Sequence, residues 1–236
     1  MQRALADKDL KNFISKVNKH GINRTFQDKT TPLMLACQYH YVPAINYLLE
    51  NNAEVNAQDI YGQTAINNLL KNGILRKHSD LDYIVSMLIE SGADVNLADN
   101  AGLTPLHYAS VLQALPIIEN LVDNGADVNA VTRFNVSPVL MCQNDDLVIY
   151  FLNHGADPNI QKNTDGDFLL LHICKESPSL SLVQYMIENR EKYGIDIGLK
   201  DRHGETAFKV LSKWGYAKDY TLWMLKGNSS KTTISI

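Results

Sequence analysis

Apolar residues along this chain fall into short stripes at helical spacing, separated by polar turns that often carry glycine. Between Leu106 and Val122, the positions Leu106, Ala109, Ile117, Ile118, Leu121 and Val122 describe two short helices with one apolar face each. Near the start, Leu10, Phe13, Ile14 and Val17 make another such face. Helices this small cannot bury their own apolar faces, so each pair must stack on its neighbours. The pattern predicts an all-α solenoid of about twelve to fourteen short helices, two per unit.

The helices are bracketed by recurring phrases. Thr104-Pro105-Leu106-His107-Tyr108-Ala109 opens one unit, and Thr31-Pro32-Leu33-Met34, Thr64-Ala65-Ile66-Asn67, Ser137-Pro138-Val139-Leu140, Leu169-Leu170-Leu171-His172 and Thr206-Ala207-Phe208-Lys209 open others. A hydroxyl before proline marks a helix start, because the oxygen accepts from an orphan N–H and proline at the first helical position has none to lose. Gly125-Ala126-Asp127-Val128-Asn129 closes a unit, as do Asn52-Ala53-Glu54-Val55-Asn56, Gly92-Ala93-Asp94-Val95-Asn96 and Gly155-Ala156-Asp157-Pro158-Asn159. Glycine there ends a helix in the left-handed region, and Asn52 is the next most tolerant residue. Thr31 to Thr64, Thr104 to Ser137 and Gly92 to Gly125 are each 33 residues apart.

A 33-residue period with a Thr-Pro-Leu-His-x-Ala phrase resembles the ankyrin-repeat family over residues 5 to 226. The units fall at 1–26 (a degenerate capping unit in which Gly21-Ile22-Asn23 echoes the closing phrase), 27–58, 59–98, 99–131, 132–161 and 162–200. A capping repeat over 201–226 carries Trp214, Tyr220, Leu222, Trp223 and Leu225, and 227–236 forms a polar tail. The period breaks three times. Thr64 to Thr104 is 40 residues, with the excess near 72–80. Gly125 to Gly155 is 30, so the first helix of the fourth repeat should be short. The fifth repeat is longer again, around Thr164-Asp165-Gly166-Asp167 and Ser177-Pro178-Ser179.

The resemblance implies L-shaped units whose hairpin fingers and first helices form a concave face that binds a protein partner. On this chain the finger-tip positions are Gln58, Ile60, Tyr61, Asn100, Ala101, Arg133, Phe134, Arg202 and His203, and the first helices add Gln38, Tyr39, Lys71, Val111 and Leu112. Aromatic residues and arginine are the types enriched at binding hot spots. The resemblance also implies that His107 and His172 bond locally and tie a repeat to its neighbour. Asn56, Asn96 and Asn129, each with a leucine eight residues earlier (Leu48, Leu88, Leu121), resemble ankyrin sites modified by the asparaginyl hydroxylase of the hypoxia-inducible transcription factor. Such an asparagine can also hold its turn through backbone bonds. Asn159 follows Pro158 and departs from that pattern.

Composition narrows the function. A net charge of −4 argues against general affinity for nucleic acid. No apolar stretch is long enough to cross a bilayer, and the first residues lack the apolar core of a secretory signal. Cys37, Cys142 and Cys174 occupy slots for small buried residues and match no zinc spacing, so no metal is expected and reduced thiols point to the cytoplasm. No phosphate loop, nucleophile elbow or kinase signature is present, and no cofactor is expected. The expected function is a non-catalytic interaction module or adaptor. The alternatives are an enzyme with a small site in loops 72–80 or 163–167, and nucleic-acid binding through Arg76, Lys77 and His78. Richness in Asn, Ile and Lys suggests an AT-rich genome, and with it an ankyrin-type effector that an intracellular bacterium delivers into host cytosol.

Overall fold

The computed structural model describes residues 1–75, 80–162, 164–176 and 179–229. These residues form α-helices, one short 3-10 helix and turns, with no strand among them. They group into two compact units divided between Asp127 and Val128.

In the first unit the helices are α1 (Gln2–Ala6), α2 (Leu10–His20), α3 (Pro32–Gln38), α4 (Val42–Glu50), α5 (Ala65–Leu75), α6 (Leu81–Glu90), α7 (Pro105–Leu112) and α8 (Leu115–Asp123). First helices pack on first helices, α3 on α5 and α5 on α7, while α2 packs on α4 and α6 on α8. The apolar positions of the sequence pattern supply this core: Phe13, Val17, Leu33, Ile45, Leu48, Ile66, Ile84, Leu88, Leu106, Ile118 and Leu121 are buried. In the second unit a 3-10 turn (Pro138–Met141) precedes α9 (Asp145–Asn153), α10 (Leu169–Glu176), α11 (Leu180–Glu188), α12 (Arg190–Tyr193), α13 (Ala207–Lys213) and α14 (Ala217–Ser229). There α10 packs on α13 and α11 on α14 around Phe151, Phe168, Leu170, Met186 and Leu211.

The opening phrase caps its helix as its chemistry requires. The Thr31 hydroxyl accepts from the Met34 N–H at 3.2 Å, and Thr206 accepts from Lys209 at 3.2 Å. In α7 the Thr104 N–H donates to Nδ1 of His107 at 3.1 Å, with the Thr104 hydroxyl 2.8 Å from the same nitrogen. His107 is fully buried, a helix-capping residue as the resemblance implies. At the matching position of the second repeat Asn67 does the linking, donating through Nδ2 to the Leu97 carbonyl at 3.1 Å. The closing phrase ends helices in the left-handed region, with φ of 88° at Gly92, 83° at Gly125, 85° at Gly155 and 59° at Asn52.

The departures from period resolve individually. Part of the excess at 72–80 lengthens α5 to Leu75 instead of forming a loop, and residues 76–79 lie outside the described residues. The lengthened helix passes the start of α6 at Gly73, where an added Cβ would lie 2.9 Å from Leu81 Cδ1. The three-residue deficit reduces the first helix of the fourth repeat to the four-residue 3-10 turn. In the fifth repeat the helix starts at Leu169, and its first bond runs from the His172 N–H to the Phe168 carbonyl at 2.8 Å. The corresponding bond in α7 runs from Tyr108 to Thr104. His172 therefore sits one residue beyond the capping slot, because the preceding finger carries one extra residue.

At the end of the chain α14 continues through Ser229, so helix occupies the start of the expected polar tail; residues 230–236 lie outside the described residues. Tyr220 and Trp223 are buried, whereas Trp214, Leu222 and Leu225 are exposed. Phe208 stands where Leu106 stands in the third repeat, yet it is exposed, because no further repeat covers it among the described residues.

Between repeats, one asparagine of each closing phrase bridges to the next. Asn56 donates to the Gly92 carbonyl at 2.8 Å and accepts from the Asp94 N–H at 2.8 Å. Asn96 does the same with Gly125 (2.9 Å) and Asp127 (2.8 Å). Within the second unit Asn129 meets Gly155 and Asp157 at 2.9 and 2.7 Å, and Asn159 meets Gly194 and Asp196 at 2.8 and 2.9 Å. These residues hold the neighbouring repeat's turn more than their own, contrary to a purely local role. Replacing Asn96 by Ala removes both bonds and is expected to cost about 1–2 kcal/mol in urea-induced unfolding.

Candidate functional site

The fingers are short hairpin-like turns pinned by one side chain each. Asp59 accepts from the N–H groups of Tyr61 (2.8 Å) and Gln63 (2.9 Å), and Asp99 accepts from Ala101 (2.8 Å) and Leu103 (3.0 Å). Thr132 and Asp201 hold their own fingers in the same way, the latter through His203 and Glu205, each at 2.8 Å. Neighbouring fingers are then tied backbone to backbone. Ile60 N–H donates to the Asp28 carbonyl at 3.0 Å, and Asn100 N–H donates to the Tyr61 carbonyl at 2.8 Å. In the second unit Arg202 N–H donates to the Asp165 carbonyl at 3.0 Å. The fit is close at Gly62 (φ 75°), where a Cβ would lie 2.7 Å from Asn100 Oδ1.

This scaffold sorts the sequence-predicted contact residues into two groups. Ile60, Tyr61, Val111 and Phe134 are exposed apolar residues; Tyr61 and Phe134 leave 62% and 61% of their surface open. Gln38, Lys71, Ala101, Arg133 and His203 are exposed, and Tyr39 and Leu112 are half-buried. Gln58, Asn100 and Arg202 also lie at the surface but serve the scaffold. Gln58 Nε2 donates to the carbonyls of Gly62 (2.7 Å) and Ala98 (3.1 Å), Asn100 Nδ2 donates to Ile60 (3.0 Å), and Arg202 Nη1 donates to Thr164 (3.2 Å). Tyr61 and Ile60 share the first unit, and Phe134 lies in the second. Val131, exposed just before the fourth finger, was missed by the sequence reading; its place at the foot of a finger was the available signal.

Ionisable groups here act structurally. Lys175 donates to Asp167 at 2.6 Å and to the fully buried Asp201 carboxylate at 2.8 Å. Burial works against the Lys175 charge, but the two carboxylate bonds outweigh it and push its pKa up to about 12. Burial alone would raise Asp201; the Lys175 bond and the N–H groups of Glu205 and His203 reverse this and hold it below its ordinary value. Burial lowers His172, as does the Lys162 ammonium 3.1 Å from its Nδ1. Cys37, Cys142 and Cys174 carry no disulfide, and burial pushes Cys174 up to about 12. Among the described residues no cluster of His, Cys, Asp and Glu could hold a metal ion. Of the proposed enzyme loops, the described part of 163–167 is the fifth finger, where Asp165 accepts from the Asp167 N–H at 2.9 Å. Residues 76–79 and 163, including Arg76, Lys77 and His78, lie outside the described residues. No helix among the described residues is long and apolar enough to cross a membrane.

Family models for ankyrin repeats match residues 18–67 and 61–132. The chain belongs to the ankyrin-repeat family. An ankyrin-repeat protein of fowlpox virus is 33% identical over 120 residues, covering 47% of this chain and 33% of the viral protein. A tankyrase poly(ADP-ribose) polymerase of Caenorhabditis elegans is 34% identical over 84 residues, covering 34% of this chain and 4% of the polymerase. Human neurogenic locus notch homolog protein 1 is 30% identical over 153 residues, covering 63% of this chain and 6% of that protein. The matched stretch is thus a third or less of each of these relatives. Among solved structures, the ankyrin repeat domain of Bcl-3, a member of the IkappaB protein family, superposes with a TM-score of 0.68 at 22% identity, covering 89% of this chain and 92% of that one. That likeness extends the ankyrin fold beyond residue 132, where the family models stop. Ankyrin repeats generally serve as protein–protein interaction modules.

The Lys175 bridge has a signed pH dependence. Asp201, held below its ordinary 3.8, contributes stability that is full above that value and is lost as pH falls through its lower folded pKa. Lys175, raised from 10.5, contributes stability that is full below 10.5 and is lost as pH rises through about 12. Lys175→Met leaves two buried carboxylates without their cation, and urea unfolding at pH 7 is expected to show a loss of about 2 kcal/mol, discounted for the partial exposure of the ammonium.

Proposed function

We propose that this ankyrin-repeat chain is a non-catalytic protein–protein interaction module or adaptor, binding a protein partner through finger tips and the exposed sides of first helices. The observation that carries the reading is the large apolar surface of Tyr61 and Phe134 at the tips of fingers whose backbones are already tied down. A side chain on an immobilised turn loses little further entropy on binding, and aromatic anchors dominate interface energetics. Ile60 beside Tyr61, Arg133 beside Phe134 and Val111 on α7 complete the two contact patches. Cysteines that form no disulfide fit a reducing cytoplasm. Delivery into a host cytosol by an intracellular bacterium is the specialised form of this reading; its support is the composition, and a resident cytoplasmic adaptor needs no other surface.

Tyr61→Ala and Phe134→Ala, made singly and together, test the contact surface. With a partner captured from eukaryotic cytosol and identified, the double variant is expected to bind about 2 kcal/mol more weakly by calorimetry while keeping its helical circular dichroism. Unchanged affinity in a folded double variant would move the interface away from the finger tips.

Asn56, Asn96 and Asn129 are proposed substrates of the asparaginyl hydroxylase. Their amides are engaged at both ends, so modification requires local opening of the turn. Incubation with the enzyme and peptide mass spectrometry should find an added oxygen on at least one of the three, and less on Asn159. Unmodified peptides would leave them as bridges only.

A further inference from the structure

The shortened fourth repeat leaves a cleft. Where α3, α5, α7, α10 and α13 run seven residues or more, the 3-10 turn at Pro138–Met141 stops after four. The volume this vacates, about 490 Å³, lies beside the C-terminal half of α10. Its apolar floor is Val148, Ile173 and Leu182. Its polar wall carries the carboxylates of Asp145 and Glu176 and the imidazole of His172. Of the described residues lining it, none is lysine or arginine.

Asp145, at the start of α9, accepts a hydrogen bond from the Ser179 hydroxyl at 2.5 Å, which anchors that carboxylate in place. Lys175, the neighbouring cation on α10, is turned to Asp167 and Asp201. Lys162 donates to His172 Nδ1 and keeps its charge there, and that imidazole is held toward its neutral form. Two carboxylates against this one ammonium leave the wall net negative beside the apolar floor. An aliphatic stem ending in a cation matches both parts, the methylenes on the floor and the charge at the carboxylates.

We propose that this cleft receives a basic side chain, arginine or lysine, from the protein partner. The proposal rests on the protein-binding reading and adds to it the chemistry of one partner residue. It also gives the three-residue deficit a role: a full-length first helix would fill the volume.

The test needs no partner. The whole chain, labelled with ¹⁵N, is titrated with N-acetyl-arginine amide and, in parallel, with its neutral isostere N-acetyl-citrulline amide. Saturable amide shifts at Val148, His172 and Ile173 are expected with the arginine probe, at least tenfold weaker with citrulline. Glu176→Gln, a change at an exposed position, should weaken the arginine titration severalfold; adding Asp145→Asn should bring the loss to tenfold or more. Glu54→Gln, an exposed carboxylate remote in sequence and in the other unit, should leave it unchanged. Absence of saturable shifts, equal response to citrulline, or indifference to Glu176→Gln overturns the proposal. A failed titration leaves the finger-tip surface standing, and unchanged partner affinity in the Tyr61 and Phe134 variants leaves the cleft standing.

Discussion

The side-chain amide of one asparagine per repeat carries the rest of this structure. Each repeat ends in a turn whose carbonyls and N–H groups have no helical partner, and each is too small to fold around its own core. Asn56, Asn96, Asn129 and Asn159 answer both needs, giving an N–H to the next repeat's glycine carbonyl and taking one from its acidic residue. Asparagine alone among the short side chains offers a donor and an acceptor on one rigid group. At Gly198, which stands where the next asparagine would, no such side chain exists; the bond from the Gly198 N–H to Asp196, like those of Asn96 to Asp94 and Asn159 to Asp157, holds only its own turn.

Stacking settled in this way frees the fingers for binding. Their backbones are bonded internally and to their neighbours, so the tips are fixed points and not flexible loops. Gln58 and Asn100 look like contact residues from their position, yet their amides are committed to this framework. What the framework leaves exposed includes four large apolar side chains, Ile60, Tyr61, Val131 and Phe134. A stiff surface with a few exposed aromatic anchors is suited to binding proteins. Lys175 bridges two fingers through Asp167 and Asp201, and His172 is paired with Lys162.

Irregularity is where this chain differs from an idealised array. Seven residues added to the second repeat go partly into an extra turn of α5, which Gly73 lets past Leu81. One residue added to the fifth finger shifts the helix register and moves His172 out of the capping slot to face Lys162. Three residues removed from the fourth repeat collapse a helix to a 3-10 turn and open a cleft with carboxylates on its wall. Each change is local because a repeat touches only its neighbours.

Most of the fold was legible in the residues themselves. The Thr-Pro and Gly-Ala-Asp phrases encode caps and helix ends through bonds that span three or four residues, and the helical spacing of Leu106, Ile118 and Leu121 marks the core before any packing is known. The short helix of the fourth repeat also followed from counting. The sequence could not tell which surface polar residues are free, because the partners of Gln58, Asn100 and Asn96 lie 29 to 40 residues away and are backbone atoms, which carry no residue signature. Nor could it tell that His172 belongs with Lys162, since a one-residue shift in register is invisible in a loose match to the phrase. The cleft beside α10 has the same origin: its walls come from α9, α10 and α11, and only their packing brings Asp145 and Glu176 to one volume.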